Sequence, residues 1–309
     1  MRHLYRGGFE IRYEGVPGAG LVFVPPSTDG YAALVADIKA RSLQTAVRYS
    51  GQPGFDESEI DRWESPEQRG GSVIFINRSE RPVALLQILW LYSLLDGREI
   101  VGSCAWAGSE ALLLPYGQTP SMRTVMAYWS SILPGSKRYI TSGETMIVDN
   151  TDVRPPTDAE LWRGGFVRGS GGGGISEPRQ AVRLTISITG AFFDNGDFAG
   201  TNRSRLFEQM SAKEKARSEI ADLSSAGGKS AQWILDGIER KAREFGALPE
   251  IFLLPDEKTP SSVYDKIAFR EVANNIKRSR SAVGDQATVR NIRTWRDVVL
   301  PVFRKLPAP

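Results

Sequence analysis

Residues 83–95 (VALLQILWLYSLL) place apolar side chains on both alternating faces, the pattern of a strand covered on both sides. The run stops at Asp96-Gly97, a tight-turn dipeptide, and resumes at Glu99-Ile100-Val101, which predicts a hairpin. Val73 to Ile76 is β-branched and aromatic and leads into the polar turn Asn77–Glu80, predicting another strand. Gly20–Val24, Thr45–Ser50, Arg138–Thr141 and Thr145–Val148 read as short strands, and residues 122–132 suit either a strand pair or a short helix. Val182, Leu184, Ile186 and Ile188 alternate with Arg183, Thr185, Ser187 and Thr189, which predicts one face on a core and the other in water. No hairpin partner for this strand is legible downstream. Trp90 and Tyr92 share a strand face with Ile88 and Leu94, which makes them core rather than a stacking platform.

A helix is predicted over Tyr31–Arg41, behind Ser27, Thr28 and Asp29 as capping residues. Beyond Asn202 the period becomes helical throughout. Leu206, Phe207, Met210, Ile220 and Leu223 mark one helix, broken at Ala226–Gly228, and Trp233, Ile234, Ile238, Ala242 and Phe245 mark the next. Gly246 and Pro249 stop that helix, a third runs from Val263 to about Val283, and a fourth, interrupted at Pro301, is predicted over Thr288–Phe303. Strands followed by helices define an α+β chain. The expected architecture is a mostly antiparallel β-sandwich-like domain over residues 1–202, then a helical region over 203–309. Residues 163–178 are glycine-rich and read as a long mobile loop within the β domain.

Composition narrows the chemistry. The 309 residues hold one Cys (Cys104) and one His (His3), too few for a disulfide, a Cys-rich zinc site, a CxxC redox pair or a His-centred triad. Cys104 reads as a small buried hydrophobe. The longest apolar stretch, 82–95, falls short of the about 20 residues a membrane span needs, and the N-terminus lacks the apolar core of a secretory signal. The expectation is a cytoplasmic protein with no membrane partner. Two sequons, Asn77-Arg78-Ser79 and Asn202-Arg203-Ser204, are read as chance matches.

Four candidate sites deserve weighing. Ala226-Gly227-Gly228-Lys229-Ser230 lacks the leading glycine of a phosphate loop, since Leu223 stands there, so an interhelical turn is the better reading. Asp149, Asp152, Asp194 and Asp197 form two acidic turns that could offer oxygens to a Ca²⁺-type cation, but the same residues are ordinary turn formers. Glu110, Glu144 and Asp149 could supply a carboxylate pair for glycoside hydrolysis. Residues 266–309 carry ten basic against three acidic groups while the whole chain is only +3, so the remainder is net negative. Lys266, Arg270, Lys277, Arg278, Arg280, Arg290 and Arg293 are the candidate binding residues of this region, and Lys266, Arg270 and Lys277 share one helical face. The plain alternative is a solvated face, or pairing with the acidic remainder.

The passage 184–204 (LTISITGAFFDNGDFAGTNRS) is similar to a segment of uncharacterised bacterial proteins, in which a strand ending in a Phe-x-Asp-Gly-x-Phe-x-Gly-like turn leads into a charged helix. Asn195 intrudes between Asp194 and Gly196, and Ala199 precedes Gly200, so the turn departs from that pattern. Asn77-Arg78-Ser79, with Pro82 and Trp90 after it, resembles a recurrent β-sandwich strand pair. The resemblance implies a bacterial origin and this architecture, and no activity. The expected function is a non-catalytic interaction or scaffold protein that needs no cofactor. It would bind a protein partner through strand-end loops or the basic helices. The alternatives are a carboxylate-dependent hydrolase and a weak nucleic-acid binder acting through residues 266–309.

Overall fold

The computed structural model describes residues 3–4, 10–37, 73–114, 131–140, 181–225, 227–248 and 259–307. The expected strands at 45–50 and 145–148, most of the 122–132 segment and the glycine-rich stretch at 163–178 lie outside the described residues.

The segment 83–95 becomes β5 (Val83–Leu94), and every one of its residues is buried. It lies between two antiparallel neighbours, β6 (Glu99–Gly108) through the Asp96-Gly97 turn and β8 (Ala181–Phe193) on its other side. β2 (Glu10–Glu14) then pairs parallel to β8, and β1 (His3–Leu4) closes that edge antiparallel to β2. Along the same side of β8, β9 (Asp197–Ala199) pairs antiparallel with Ala191 and Phe192, and β10 (Arg304–Lys305) adds parallel to β9. A second, antiparallel sheet has the order β3 (Leu21–Val24), β4 (Val73–Asn77), β7 (Lys137–Ile140). The chain is therefore α+β, with most strand pairs antiparallel, a mixed larger sheet and neither sheet closed on itself.

One core draws on both sheets. Val83, Leu86, Ile88, Trp90 and Tyr92 of β5 and Leu184, Ile186 and Ile188 of β8 pack with Val73 and Phe75 of β4 and with Leu21. Val83 and Leu86 join the same cluster despite their opposite parity because a register shift between Val83 and Leu85 turns the strand over. Ile74 and Ile76 point to the other side of β4, against Val24 and against Tyr31 and Val35 of the helical stretch 31–37.

Two expectations about β8 need correcting. It was expected to wet one face, yet residues 184–193 are all buried, Thr185, Ser187 and Thr189 included. Strands on both of its sides and cover on both faces override the local polar alternation. It also has the downstream hairpin partner that the pattern concealed, because the strand runs on to Phe193 and turns at Asp194-Asn195-Gly196 into β9.

Helices α2 (Leu206–Ser224), α3 (Ala231–Glu244), α4 (Ser261–Val283) and α5 (Asp285–Thr294) follow a single-turn α1 (Glu110–Leu113). Their apolar residues recur at three- and four-residue steps, as in Ile234, Ile238 and Ala242 or Ala268, Val272 and Ile276, and meet in a second core. α2 belongs to both bodies: its first turns place Leu206 and Met210 against Ala84, Leu85 and Phe192, while Ala212, Ala216 and Ile220 enter the helical core. The predicted fourth helix is shorter than its sequence suggested. It ends at Thr294 in a 3₁₀ turn (Trp295–Asp297), and the chain then runs back to the sheet as β10. Pro301 removes a helical donor, and pairing with β9 takes the residues that follow. Among the described residues no helix is long and apolar enough to cross a membrane.

Candidate interaction surface

The helical region spends three of its seven candidate cations internally. Arg280 meets Asp236 at 2.8 Å and Glu239 at 3.1 Å on α3, and Asp285 of α5 at 2.8 Å, so one guanidinium fastens α4 to two neighbours. Hydrogen bonds to Asp285 and Asp236 hold that guanidinium protonated even more firmly than usual. Arg293 donates to the Ser224 carbonyl at 2.9 Å, at the end of α2, and Arg270 donates to the Gly246 carbonyl, just beyond α3. Both act as cation caps on the orphan carbonyls of helix C-termini.

Lys266, Lys277, Arg278 and Arg290 are exposed. On α4 the buried residues Tyr264, Ala268, Phe269, Val272, Ala273 and Ile276 define the inner face. At 100° per residue, Lys266, Arg270, Asn274, Lys277 and Ser281 fall together on the outer one. The two carboxylates of α4 face α2 instead: Asp265 pairs with Lys215 at 2.6 Å and Glu271 with Lys213 at 3.0 Å. The outer stripe of α4 is thus cationic and free of carboxylates along its own helix. At the other end of α3, Trp233 is half exposed, with the Lys229 ammonium 4.6 Å from its ring centre. Lys229 belongs to the Gly-Gly-Lys-Ser turn, whose Ser230 caps α3 by accepting from the Trp233 N–H at 3.2 Å.

The acidic turn at 194–197 is built from its own side chains. Asn195 Oδ1 accepts from the Asp197 N–H at 3.1 Å and Nδ2 donates to Asp197 Oδ2 at 2.8 Å. Arg81 reaches Asp197 at 2.5 Å, and Arg304 reaches the same carboxylate at 3.7 Å. The Asn195 hydrogen bond, helped by the two arginines, holds the Asp197 carboxyl below the usual carboxylate range against a burial that opposes it. Asp194 is exposed, and Asp149 and Asp152 lie outside the described residues. Among the described residues no three His, Cys, Asp or Glu side chains gather as a metal site.

Glu110, one of the three candidate hydrolytic carboxylates, sits at the start of α1 beside Lys213 at 2.8 Å and Arg217 at 3.6 Å, while Glu144 and Asp149 lie outside the described residues. Burial lowers the proton affinity of the Lys213 ammonium, but Glu110 and Glu271 outweigh it and hold the group charged. Burial pushes the Cys104 thiol up to about 12, so it is neutral at physiological pH. Neither sequon offers a free amide. Asn77 is fully buried and donates to the Arg81 and Ile132 carbonyls, and the Asn202 amide donates to Glu208 at 2.6 Å.

Sequence reasoning missed the groups that join β5 and β8 to the start of α2. Gln87 Oε1, wholly buried in β5, accepts from the Thr189 hydroxyl at 2.9 Å and from the Ser204 hydroxyl. Asn202 Oδ1 accepts from the Phe207 N–H at 3.0 Å, so a side chain three residues before the N-cap Arg205 satisfies a first-turn donor of α2. A lone Gln inside an apolar strand run was the available signal, since a buried amide requires partners. Comparison with protein-family models, with characterised proteins and with solved structures finds no match for this chain.

Proposed function

We propose that this protein is a non-catalytic interaction module that presents the outer face of α4 to an acidic protein surface. The reading rests on one observation: Lys266 and Lys277 lie exposed on one stripe of α4, with the half-buried Arg270 between them bonded to the Gly246 carbonyl, and both carboxylates of the helix have turned away from that stripe. Electrostatic complementarity of this kind steers encounter and sets register more than it supplies affinity. The two sheets around their common core would serve as a β-sandwich-like scaffold for the helices. A cytoplasmic setting fits a free thiol of this kind. A protein partner is favoured over nucleic acid because Arg270, Arg280 and Arg293 bond within the fold, which leaves four exposed cations of the group, Lys266, Lys277, Arg278 and Arg290. Four phosphate contacts give only a shallow salt slope, about −3.6 for duplex DNA.

The test is retention on immobilised poly-glutamate at low salt, compared between the native chain and a Lys266→Glu/Lys277→Glu double variant. Retention that falls with salt and is lost in the variant is expected. Tight, steeply salt-dependent binding to random duplex DNA would replace the reading with nucleic-acid recognition. Turnover of a glycosidase substrate that is lost in Glu110→Gln would replace it with hydrolysis.

A further inference from the structure

The outward side of α3 carries a stripe whose order of groups is its own complement. At 100° per residue, Trp233, Gly237, Arg240 and Glu244 lie within about 60° of one another, opposite the buried Ala231, Leu235, Ile238 and Ala242. Arg240 and Glu244 are each 66% exposed and approach one another only to 4.0 Å. Lys229, in the turn before the helix, joins the stripe because its ammonium lies 4.6 Å from the Trp233 ring centre. Gly237 stands in the middle. Glycine inside a helix is destabilising relative to alanine. A Cβ at 237 would meet nothing within 4 Å among the described residues, so packing within the chain gives no reason for its absence. Around this point the stripe is symmetric in position. Lys229 stands seven residues before Asp236 and Glu244 seven after Gly237, while Trp233 and Arg240 stand three before and three after the same pair.

We infer that this stripe docks on the same stripe of a second copy of the chain, α3 against α3 and antiparallel, about a twofold axis between Asp236 and Gly237. In a twofold contact residue i of one copy meets residue j of the other, and j meets i. The midpoint therefore sets Lys229 against Glu244 of the second copy and Trp233 against its Arg240, each pair formed twice. The first is an ion pair and the second a guanidinium over an indole face. Gly237 at the axis lets the two helices approach to about 8 Å, the near end of ordinary helix packing. The two Asp236 carboxylates also come near the axis. Each keeps its own Arg280 at 2.8 Å, and Arg240 of the second copy lies one turn away. The order of charge names the occupant: a stripe of one sign would fit many partners, whereas this one matches itself when reversed. The contact is small, so the dimer is weak and the chain is single at the dilution of a thermal melt.

The experiment is sedimentation equilibrium of the full chain at low salt, from about 10 μM to about 1 mM. A monomer–dimer equilibrium that stops at two is expected, because a twofold contact closes on itself. Gly237→Gln fills the axis while favouring the helix, so this variant stays monomeric over the range and melts no lower than the native chain. Lys229→Glu and Glu244→Lys each set like charges across the contact, and each weakens the dimer about tenfold. Lys229→Glu/Glu244→Lys in one chain restores opposite charges at both ends and recovers the dimer. A chain monomeric at every concentration, association that continues beyond two, a dimer that survives Gly237→Gln, or a double variant no better than the single ones overturns the proposal.

Discussion

The Ser204 hydroxyl donates to Oε1 of Gln87 across 117 positions of sequence, in the buried space where β5 and β8 meet the start of α2. Thr189 donates to the same oxygen at 2.9 Å, so one amide satisfies two hydroxyls on two elements. Replacing Gln87 by Leu keeps its bulk but takes this acceptor from the Ser204 hydroxyl and leaves Thr189 only the longer contact to the backbone carbonyl of residue 87, at a cost of about 1–3 kcal/mol. Ser204→Ala removes one donor and costs less, and a double-mutant cycle in urea should show that the two changes are not additive.

Trp90 and Trp233 separate burial from residue type. Trp90 is 1% exposed in the core that both sheets share, and Trp233 is 50% exposed on α3. Trp90→Ala should lower stability by about 3–5 kcal/mol. Trp233→Ala should change it by no more than about 0.5 kcal/mol. Equal losses in thermal unfolding would mean that the α3 surface is covered in solution.

Acid stability should depend on Asp197. Its folded-state carboxyl lies below the ordinary range, first through Asn195 and then through Arg81 and Arg304. Its contribution is therefore complete above the unfolded value of about 3.9 and disappears as pH falls through the lower folded value. Native and Asp197→Asn chains should differ most at neutral pH and converge as pH falls below the ordinary carboxylate range. A difference that is constant with pH would show that the carboxylate's charge is irrelevant to the fold.

Arg280 joins three carboxylates on two helices, with a side chain only 23% exposed. Arg280→Met keeps the aliphatic stem and should cost about 1–2 kcal/mol, judged from partly exposed pairs worth up to about 1 kcal/mol each. The loss should shrink in high salt, because screening weakens these pairs in the native chain. Hydrogen exchange at the C-terminal turns of α4 should report it first.

The hairpin at Asp96-Gly97, the buried strand before it and the helices at 206–224, 231–244 and 261–283 were legible because periodicity and turn chemistry are local. Residues 10–14 carried no comparable signal, and their strand exists because β8 offers an open parallel edge. The candidate surface was legible as an excess of cations but not as a surface. Arg280 and Lys277 stand three residues apart, yet one is tied to three carboxylates and the other is exposed.

What the residue order determined alone is therefore the kind and placement of most elements, the poverty in imidazole and thiol, and the weight of positive charge near the end. Tertiary structure decided which polar residues go inside, which arginines become fasteners, and that residues 304–305 end in the sheet rather than in a helix. These outcomes depend on partners roughly a hundred residues away: Asp197 for Arg304, Glu208 for Lys305, Gln87 for Ser204. No local pattern encodes such a meeting, because its free energy arises only once packing has excluded water from the place where the groups converge.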